Sequence, residues 1–536
     1  MHSLLYKYIC VYGGTSAGVM AAYKAKKLGK SVALIESGRH LGGVTSGGLG
    51  FTDYGDKSAI IGLAKDFYHR IGVKYGKTTE TYTFEPHVAE VVYNSYITEA
   101  NVSVLFDYRI ISAKIVDKKV ESIVVEKSSD SQISTNVVIT AKMFIDCSYE
   151  GDLMSRANIS YTFGRESNSL YNETHNGVQM LSGHQFPDNI NPYVIPGNKS
   201  SGLLWGISDE TLARQGSGDK KIQSFNYRIC LTNNKTNRID IAKPDNYNPH
   251  HFQLLIRLIE KLKPKSIRGF VIQSPMPNQK TDINNYGPFS TDAIAMNYEY
   301  PDGSYETRKT IVKQHEDYTK GFLYFVGHDP QVPQHLRDEM LSWGYPKDEY
   351  KDNNHWTHQL YIRESRRMSG QYLMTERNAM GKDLVSDGIA MASYTMDSHN
   401  AQRVVVNGMV KNEGNVESPV PHPYPVSYGS VVPKSSECHN VLVPVCLSAT
   451  HIAYGSIRME YTFMELGEAS AVAAVMALEA NTSVQEVDTK LKKLVVSFGY
   501  NEVLDETVLD IQVVHEFDHK LKAQHSFIVG TDRQFG

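Results

Sequence analysis

The spacing of apolar residues changes period twice within the first fifty positions. YKYICVYGG is a short apolar run and predicts a buried strand ending at Gly13. TSAGVMAAYKAKKLGK then takes helical spacing, with Val19, Ala22 and Ala25 on a buried face and Lys24, Lys26 and Lys27 toward water. SVALIE returns to a buried strand and ends in Glu36. Strand, helix and strand within about 30 residues form a βαβ unit. Far downstream, MELGEASAVAAVMALEA predicts a strong helix, and VQEVDTKLKKLVVSFGY predicts another in the tail. Between the ends lies a stretch rich in Tyr, Asn, His and Pro, in which PNQKTDINNYGPFS and HPYPVSYGSVVP read as ordered loops. No internal repeat or low-complexity run interrupts the pattern.

The first turn carries chemistry. VYGGTSAG has the spacing of the dinucleotide turn G-x-G-x-x-G, but Thr15 stands at the middle glycine. Gly13 makes the tight turn out of the strand and Gly18 lets the helix pack close to the sheet. The amides at the helix start point at a pyrophosphate, favoured by the helix dipole. Thr15 either widens the gap to that phosphate or offers its hydroxyl as a replacement donor, a role open to Ser16 as well. Gly14 is placed to supply the missing room. Glu36 sits where a carboxylate accepts hydrogen bonds from a ribose and disfavours a 2′-phosphate. Two further small-residue turns follow, Gly42-Gly43 and Thr45-Ser46-Gly47-Gly48. They fit a cofactor whose middle and far end also run close to backbone, which favours FAD over NAD.

Composition narrows the rest. At about 150 residues per domain, 536 residues predict two to four domains. Hydrophobic residues at 41% and charged residues at 21% fit a soluble globular chain. A net charge of -4 gives no electrostatic footprint for nucleic acid. Five cysteines without a C-x-x-C pair exclude a disulfide framework, and Cys147 and Cys446 lack the sequence partner a disulfide reductase needs. No stretch approaches the roughly 20 apolar residues of a membrane span. The start runs almost directly into the first strand, so no targeting segment is expected, and the compartment is left open between the cytoplasm and export after a leader. N-x-S/T sequons at Asn101, Asn158, Asn172, Asn198, Asn234 and Asn481 hint at export only weakly, because several arise by chance in a long chain.

VYGGTSAG followed by IESGRHLGGVTSGGLG resembles the FAD-dependent oxidoreductases of the glutathione-reductase-type flavoprotein fold, in particular a bacterial-type group with the turn GGTSAG. The resemblance continues through FEPHVAE, FIDCSYEGDL, NYR, KTDINN, QLYIRESRRM, MDSHN and LVPVCLSATHIAYGSIRME. It implies an α/β chain: a discontinuous three-layer Rossmann-like FAD/NAD(P)-binding domain with an inserted α+β substrate domain. The expected boundaries are 1–165 for the first part of the FAD domain, 166–424 for the insert, 425–480 for the second part and 481–536 for a helical tail. The resemblance implies FAD binding by Gly13, Gly14, Thr15, Ser16, Ala17, Gly18, Glu36, Ser37, Arg39, Gly42, Gly43, Ser46, Gly47 and Gly48. It also implies that a strand returns at AKMFIDCSYEGDL, bringing Asp146, Cys147, Ser148 and Gly151 toward the adenosine end, although the usual Thr-Gly of that turn is absent. A helix near the C-terminus, with Gly467 and Glu468 in its first turn, would aim its positive end at the flavin pyrimidine.

For chemistry beside a flavin, a proton acceptor and a charge holder are needed. His451 as base and Arg458 as anion holder lead, because they bracket Tyr454-Gly455-Ser456 just before that helix. The competing reading makes His451 a hydrogen-bonded core residue and pairs Arg458 with Glu460. YIRESRRM reads as a helix with Arg363 and Arg367 at i and i+4, so that Arg363 or Arg366 clamps an anion or the helix is a surface salt-bridge face. His87, Arg228 and Arg363 are the expected substrate residues, and Asn226, Lys280, Asp282, Asp397 and His399 add polar groups suited to a hydroxyl-rich, sugar-like ligand. The reading is therefore an enzyme that moves a hydride between a small polar substrate and FAD, with an undefined acceptor and oligomeric state. No second G-x-G-x-x-G follows a strand, so no separate nicotinamide domain is expected. The alternatives are a non-catalytic flavin-binding protein and a flavin-dependent protein that modifies nucleic acid such as tRNA. HEFDHKLKAQH matches a zinc-protease spacing through His515, His519 and His525, with Glu516 as base. Lys522 replaces the glycine that spacing requires and only eleven residues follow, so a solvated helix face is expected rather than a metalloprotease, with an incidental surface metal site left open.

Overall fold

The computed structural model describes residues 3–129 and 135–487. The expected tail helix and the HEFDH segment lie outside the described residues, apart from the start of the former. Strand β1 (Ser3–Tyr12) feeds helix α1 (Ser16–Lys27), which feeds strand β2 (Val32–Glu36). The apolar run of β1 is continuous because both of its sides are covered. Ile9 and Val11 join the core under the helices, while Cys10 and Tyr12 join a second core with Ile110, Ile123 and Phe144 on the opposite face.

Helices α2 (Gly62–Lys74) and α3 (Pro86–Ala100) precede β3 (Ser103–Phe106), the hairpin of β4 (Tyr108–Val116) and β5 (Lys119–Lys127), and β6 (Val137–Asp146). The sheet order is β3-β2-β1-β6-β5-β4. Its first three pairings are parallel, and β5 runs antiparallel to both β4 and the start of β6. A strand from far downstream, Val441–Leu442, pairs in parallel with Phe144 and Ile145 at the end of β6. Tyr12 and Asp146 are in register, so β1 and β6 deliver their C-terminal ends side by side. That is the edge where a doubly wound sheet opens a crevice for a ligand.

The C-terminal helix, Glu460–Ala480, lies across α1. A Cβ on Gly467 would stand 2.3 Å from the Ala17 carbonyl oxygen, so a glycine sets the closeness of that crossing. The contact explains why α1 is buried from Ser16 through Tyr23 rather than amphipathic. Lys24, expected in water, pairs with Glu468 of the C-terminal helix at 2.9 Å.

The middle of the chain adds a three-stranded antiparallel sheet of Val271–Met276, Lys280–Asn285 and Ile229–Thr232, and a long helix, Tyr305–His328. Short antiparallel pairs include Met396–Ser398 with Val416–Ser418 and Gln402–Val406 with Met409–Glu413. Among the described residues no helix is long and apolar enough to cross a membrane.

Candidate cofactor and active site

The first turn explains its own departure from the glycine rule. Gly13 has φ +97, and a Cβ there would meet the Ser148 amide nitrogen at 2.6 Å. A side chain at Gly18 would strike the Gly13 carbonyl oxygen at 1.8 Å. Thr15 has φ -65 and ψ 179, an ordinary extended backbone. It is the N-cap of α1: its hydroxyl accepts from the Gly18 amide at 3.3 Å and donates to the Cys147 carbonyl at 2.8 Å. The hydroxyl is therefore spent inside the turn, where it ties α1 to the end of β6. Ser16 Oγ, beside it at the first position of the helix, is buried and faces the Glu460 carboxyl, whose charged form it favours.

Glu36 accepts from the Gly14 amide and the Gly38 amide, both at 2.6 Å. Oε1 also takes the Ser37 hydroxyl at 3.4 Å; burial raises the pKa against these bonds, and Oε2 keeps a lone pair for a further donor. Ser37 and Arg39 are exposed beside it. In the second pair of turns, Ser46 donates to the Leu41 carbonyl at 2.6 Å, and Gly42 and Gly43 pack on Tyr93 and Tyr149. Gly48, at φ +121, lies against the Arg228 carbonyl, where a Cβ would approach to 2.0 Å.

Asp146 closes the turn after β6. It accepts from the Ser148 amide at 3.0 Å, the Ser148 hydroxyl at 2.7 Å and the Met154 amide at 2.8 Å. Burial pushes its pKa up to about 6. Gly151 continues that turn at φ +67, its amide donating to Ser148 Oγ at 3.1 Å. Cys147 and Cys446 are buried thiols with pKa values well above the usual range, raised by burial.

The C-terminal helix begins earlier than its sequence suggests. Glu460 opens it, so Gly467 and Glu468 lie two turns inside rather than in the first turn. The Ala-rich run that marks the helix is its packed middle, and its start is hidden behind the less periodic RMEYTF. Glu460 is the polar residue at the positive end, and the sequence reading missed it as a site residue. It accepts from Thr45 Oγ1 at 3.0 Å and from the Tyr149 hydroxyl at 2.8 Å. Burial raises its pKa to about 6. No local signal links positions 45 and 460; only the fold does.

YIRESRRM is extended, not helical. Each arginine leaves the strand-like backbone toward a different buried acid: Arg363 to Asp292 at 2.9 Å, Arg366 to Asp152 at 2.8 Å, and Arg367 to Glu166 and Glu364. The i, i+4 spacing is coincidental, because partners from three other segments, with Glu364 from within, decide the conformation.

A charged network forms next to the second glycine turn. Arg228 holds Asp282 through Nε at 3.0 Å and Asp53 through Nη1 at 3.0 Å. The Phe51 amide, just past the turn, donates to Asp282 at 3.2 Å. Arg458 donates to the Tyr361 hydroxyl and to Asp397, both at 2.8 Å, so Asp397 rather than Glu460 is its partner. His399 lies between Asp292 on Nδ1, at 2.8 Å, and Asp397 on Nε2, at 3.3 Å. Burial would raise Asp292, but Arg363 and His399 hold it at about 2. Burial would likewise raise Asp397, which His399, Arg458 and Arg363 hold well below the carboxylate range. Tyr361 lies in the middle: burial raises its phenol, while Arg458, Arg363 and Arg228 oppose.

The structure thus brings Arg228, Arg363 and Arg458 together with Asp282, Asp397 and His399. Asp53, Asp292 and Tyr361 belong to the same network and carried no local signal in the sequence. His87 stands apart, its ring on Glu349 at 2.7 Å beside Glu85. The Lys280 ammonium lies 2.7 Å from both Glu85 and Glu349 and takes the place a metal ion would need there. His451 is sealed. Its Nδ1 meets Glu364 at 2.7 Å, its Nε2 meets Ser398 Oγ at 2.9 Å, and burial together with Arg367 and Arg165 lowers its pKa to about 3. A neutral imidazole that donates to a carboxylate and accepts from a hydroxyl has no lone pair left for a substrate.

The model of the FAD dependent oxidoreductase family matches residues 9–496. Solved structures similar to part of the chain include THI4 of Thermovibrio ammonificans, at 19% identity and TM-score 0.24, covering 30% of this chain and 66% of that one. The myxobacterial chondrochloren halogenase CndH, titled a new variant of FAD-dependent halogenases, matches at 10% identity and TM-score 0.24, covering 30% and 41%. Mycobacterium smegmatis Sdh1 in complex with UQ1 matches at 11% identity and TM-score 0.23, covering 31% and 42%. In all three the chain spans less than two thirds of the other's length. No curated protein matches the chain.

Proposed function

Because this chain belongs to the FAD dependent oxidoreductase family, we propose that it oxidises a hydroxyl group of a small polar, sugar-like substrate, the hydride passing to FAD. The residues of the first turn fit the cofactor. A buried hydroxyl at Ser16 marks the start of α1, and glycines at 13 and 18 occupy positions where any Cβ would clash. The amides at the start of α1 would hold the pyrophosphate, Glu36 the ribose, and the turns at 42–48 the remainder. These assignments refine the family to the glutathione-reductase-type group with the GGTSAG turn. In the same reading the chain divides at 165, 424 and 480, which the pairing of Val441–Leu442 with β6 supports.

FAD supplies acceptance of two electrons from a carbon–hydrogen bond. The protein must place the alcohol carbon and take the hydroxyl proton. His399 is the proton acceptor in its neutral form: Nδ1–H stays donated to Asp292, and the substrate hydroxyl replaces Asp397 at Nε2, where the contact of 3.3 Å is the looser of the two and the lone pair is then free to take the proton. Asp292 orients the ring from the other side. Arg458, at the foot of the C-terminal helix, balances negative charge that develops as the proton leaves. His451 holds Ser398 in place and takes no proton. The observation that carries the reading is the network of buried Arg228, Arg363 and Arg458 with partly exposed Asp397 and His399 against the second glycine turn.

Anaerobic mixing of the yellow holoprotein with polyols, sugars and hydroxy acids tests it. A donor of this class is expected to bleach the flavin, and His399→Gln is expected to slow bleaching about 100-fold with FAD content unchanged. Bleaching by none of these donors, or at the same rate in the variant, would sink the assignment.

A further inference from the structure

Arg403, in the strand Gln402–Val406, is a buried guanidinium that no acid among the described residues accompanies. The other buried arginines, such as Arg165, Arg228, Arg308 and Arg367, each hold a carboxylate. The flat faces of Arg403 lie near Phe186 and Phe289, whose ring centroids are 5.5 and 5.0 Å from its Cζ. One edge is used: Nε donates to Asn412 Oδ1 at 3.0 Å and Nη2 donates to the Pro288 carbonyl at 3.1 Å. Both acceptors are neutral. Among the described residues the Nη1 end has no acceptor, and it faces Gly206, where a Cβ would stand only 3.1 Å from it. Beside Gly206, half-buried Trp205 stacks on His251 and Tyr318 at 4.4 and 5.6 Å between centroids.

Burial of a cation is costly unless an opposite charge accompanies it. Two rings and two neutral acceptors offset part of that cost. The remaining donors face Gly206, where only Nη1 itself lies within 4 Å of the position a Cβ would take. A guanidinium end with its faces covered donates to two oxygens in its own plane. We propose that the Nη1 end of Arg403, opening at Gly206, is a binding site for a small oxyanion, the carboxylate or phosphate group of a small ligand. None of the residues that Arg403 touches, Phe186, Pro288, Phe289 and Asn412, belongs to the network around Tyr361.

The test is calorimetric titration of the holoprotein in a low-anion buffer with acetate and, separately, inorganic phosphate, with sodium chloride at matched ionic strength as control. One of the two is expected to bind saturably where chloride does not. Tighter acetate identifies a carboxylate site and tighter phosphate a phosphate site. Arg403→Gln is expected to weaken binding at least tenfold. Gly206→Ala keeps the charge but fills the space beside Nη1, and is expected to weaken it similarly, which holds even if Arg403→Gln fails to fold. No saturable binding of either anion to the wild type overturns the proposal. So does binding that is unchanged in Gly206→Ala, or in a folded Arg403→Gln.

Discussion

Thr15 is where the sequence most clearly departs from expectation, and the backbone accounts for it. A glycine is needed where φ is positive or a neighbour leaves no room for Cβ, and position 15 meets neither condition. Its hydroxyl caps α1 and tethers Cys147. Thr15→Val keeps the shape and removes both bonds. It is expected to lower stability by about 1–2 kcal/mol in denaturant melts while FAD stays bound. Loss of FAD without loss of stability would mean that the hydroxyl serves the phosphate instead. Position 15 also marks the limit of what residue spacing reveals. Gly13, Gly18 and Glu36 have roles dictated by a local turn, and the pattern of types is enough to find them. Asp53, Asp292 and Tyr361 meet His399 and Arg458 only through the fold. The opposite error occurred at His451, whose type and position suit a base but whose partners, Glu364 and Ser398, are distant in sequence.

Among the elements, the parallel strands were legible because buried apolar runs bounded by glycine have few other uses. The segment 359–366 was not, because its arginine spacing fits a helix as well as an extended chain satisfied by distant acids. The start of the C-terminal helix was misplaced for a related reason: its first turn carries buried polar residues whose partners lie in α1 and the glycine turns. Glu460 there allows a sign to be fixed. Burial raises its pKa from the ordinary carboxylate value of 4.5 to about 6 in the folded chain, so the folded state binds the proton more tightly. Stability therefore falls as pH rises from about 4.5 to 6, and the loss is complete above that, on the order of 2 kcal/mol. Glu460→Gln mimics the neutral form. Its stability relative to wild type is expected to improve across that window and then level off. A difference in melting that is flat with pH would show that the carboxyl is not held neutral.

At the scale of the molecule, the βαβ start announces the sheet, but its closure depends on residues far away. The second half of β6 pairs with Val441–Leu442, and α1 is covered by Glu460–Ala480. A chain cut after residue 424 is expected to lose FAD binding altogether and to expose apolar surface, measured by flavin absorbance and by a hydrophobic dye. Retention of flavin by that fragment would mean that the first 165 residues close the site alone. Synthesis on the ribosome feels the same arrangement. Roughly 300 residues separate β6 from its late neighbour, so at about 5–20 residues per second the nascent chain waits on the order of 15–60 s with Phe144 and Ile145 at an open edge. During that interval the first sheet is a half-built template that any other extended segment could occupy. The protein is thus expected to lean on chaperones early in its life, and to yield better when translation is fast or the temperature is low.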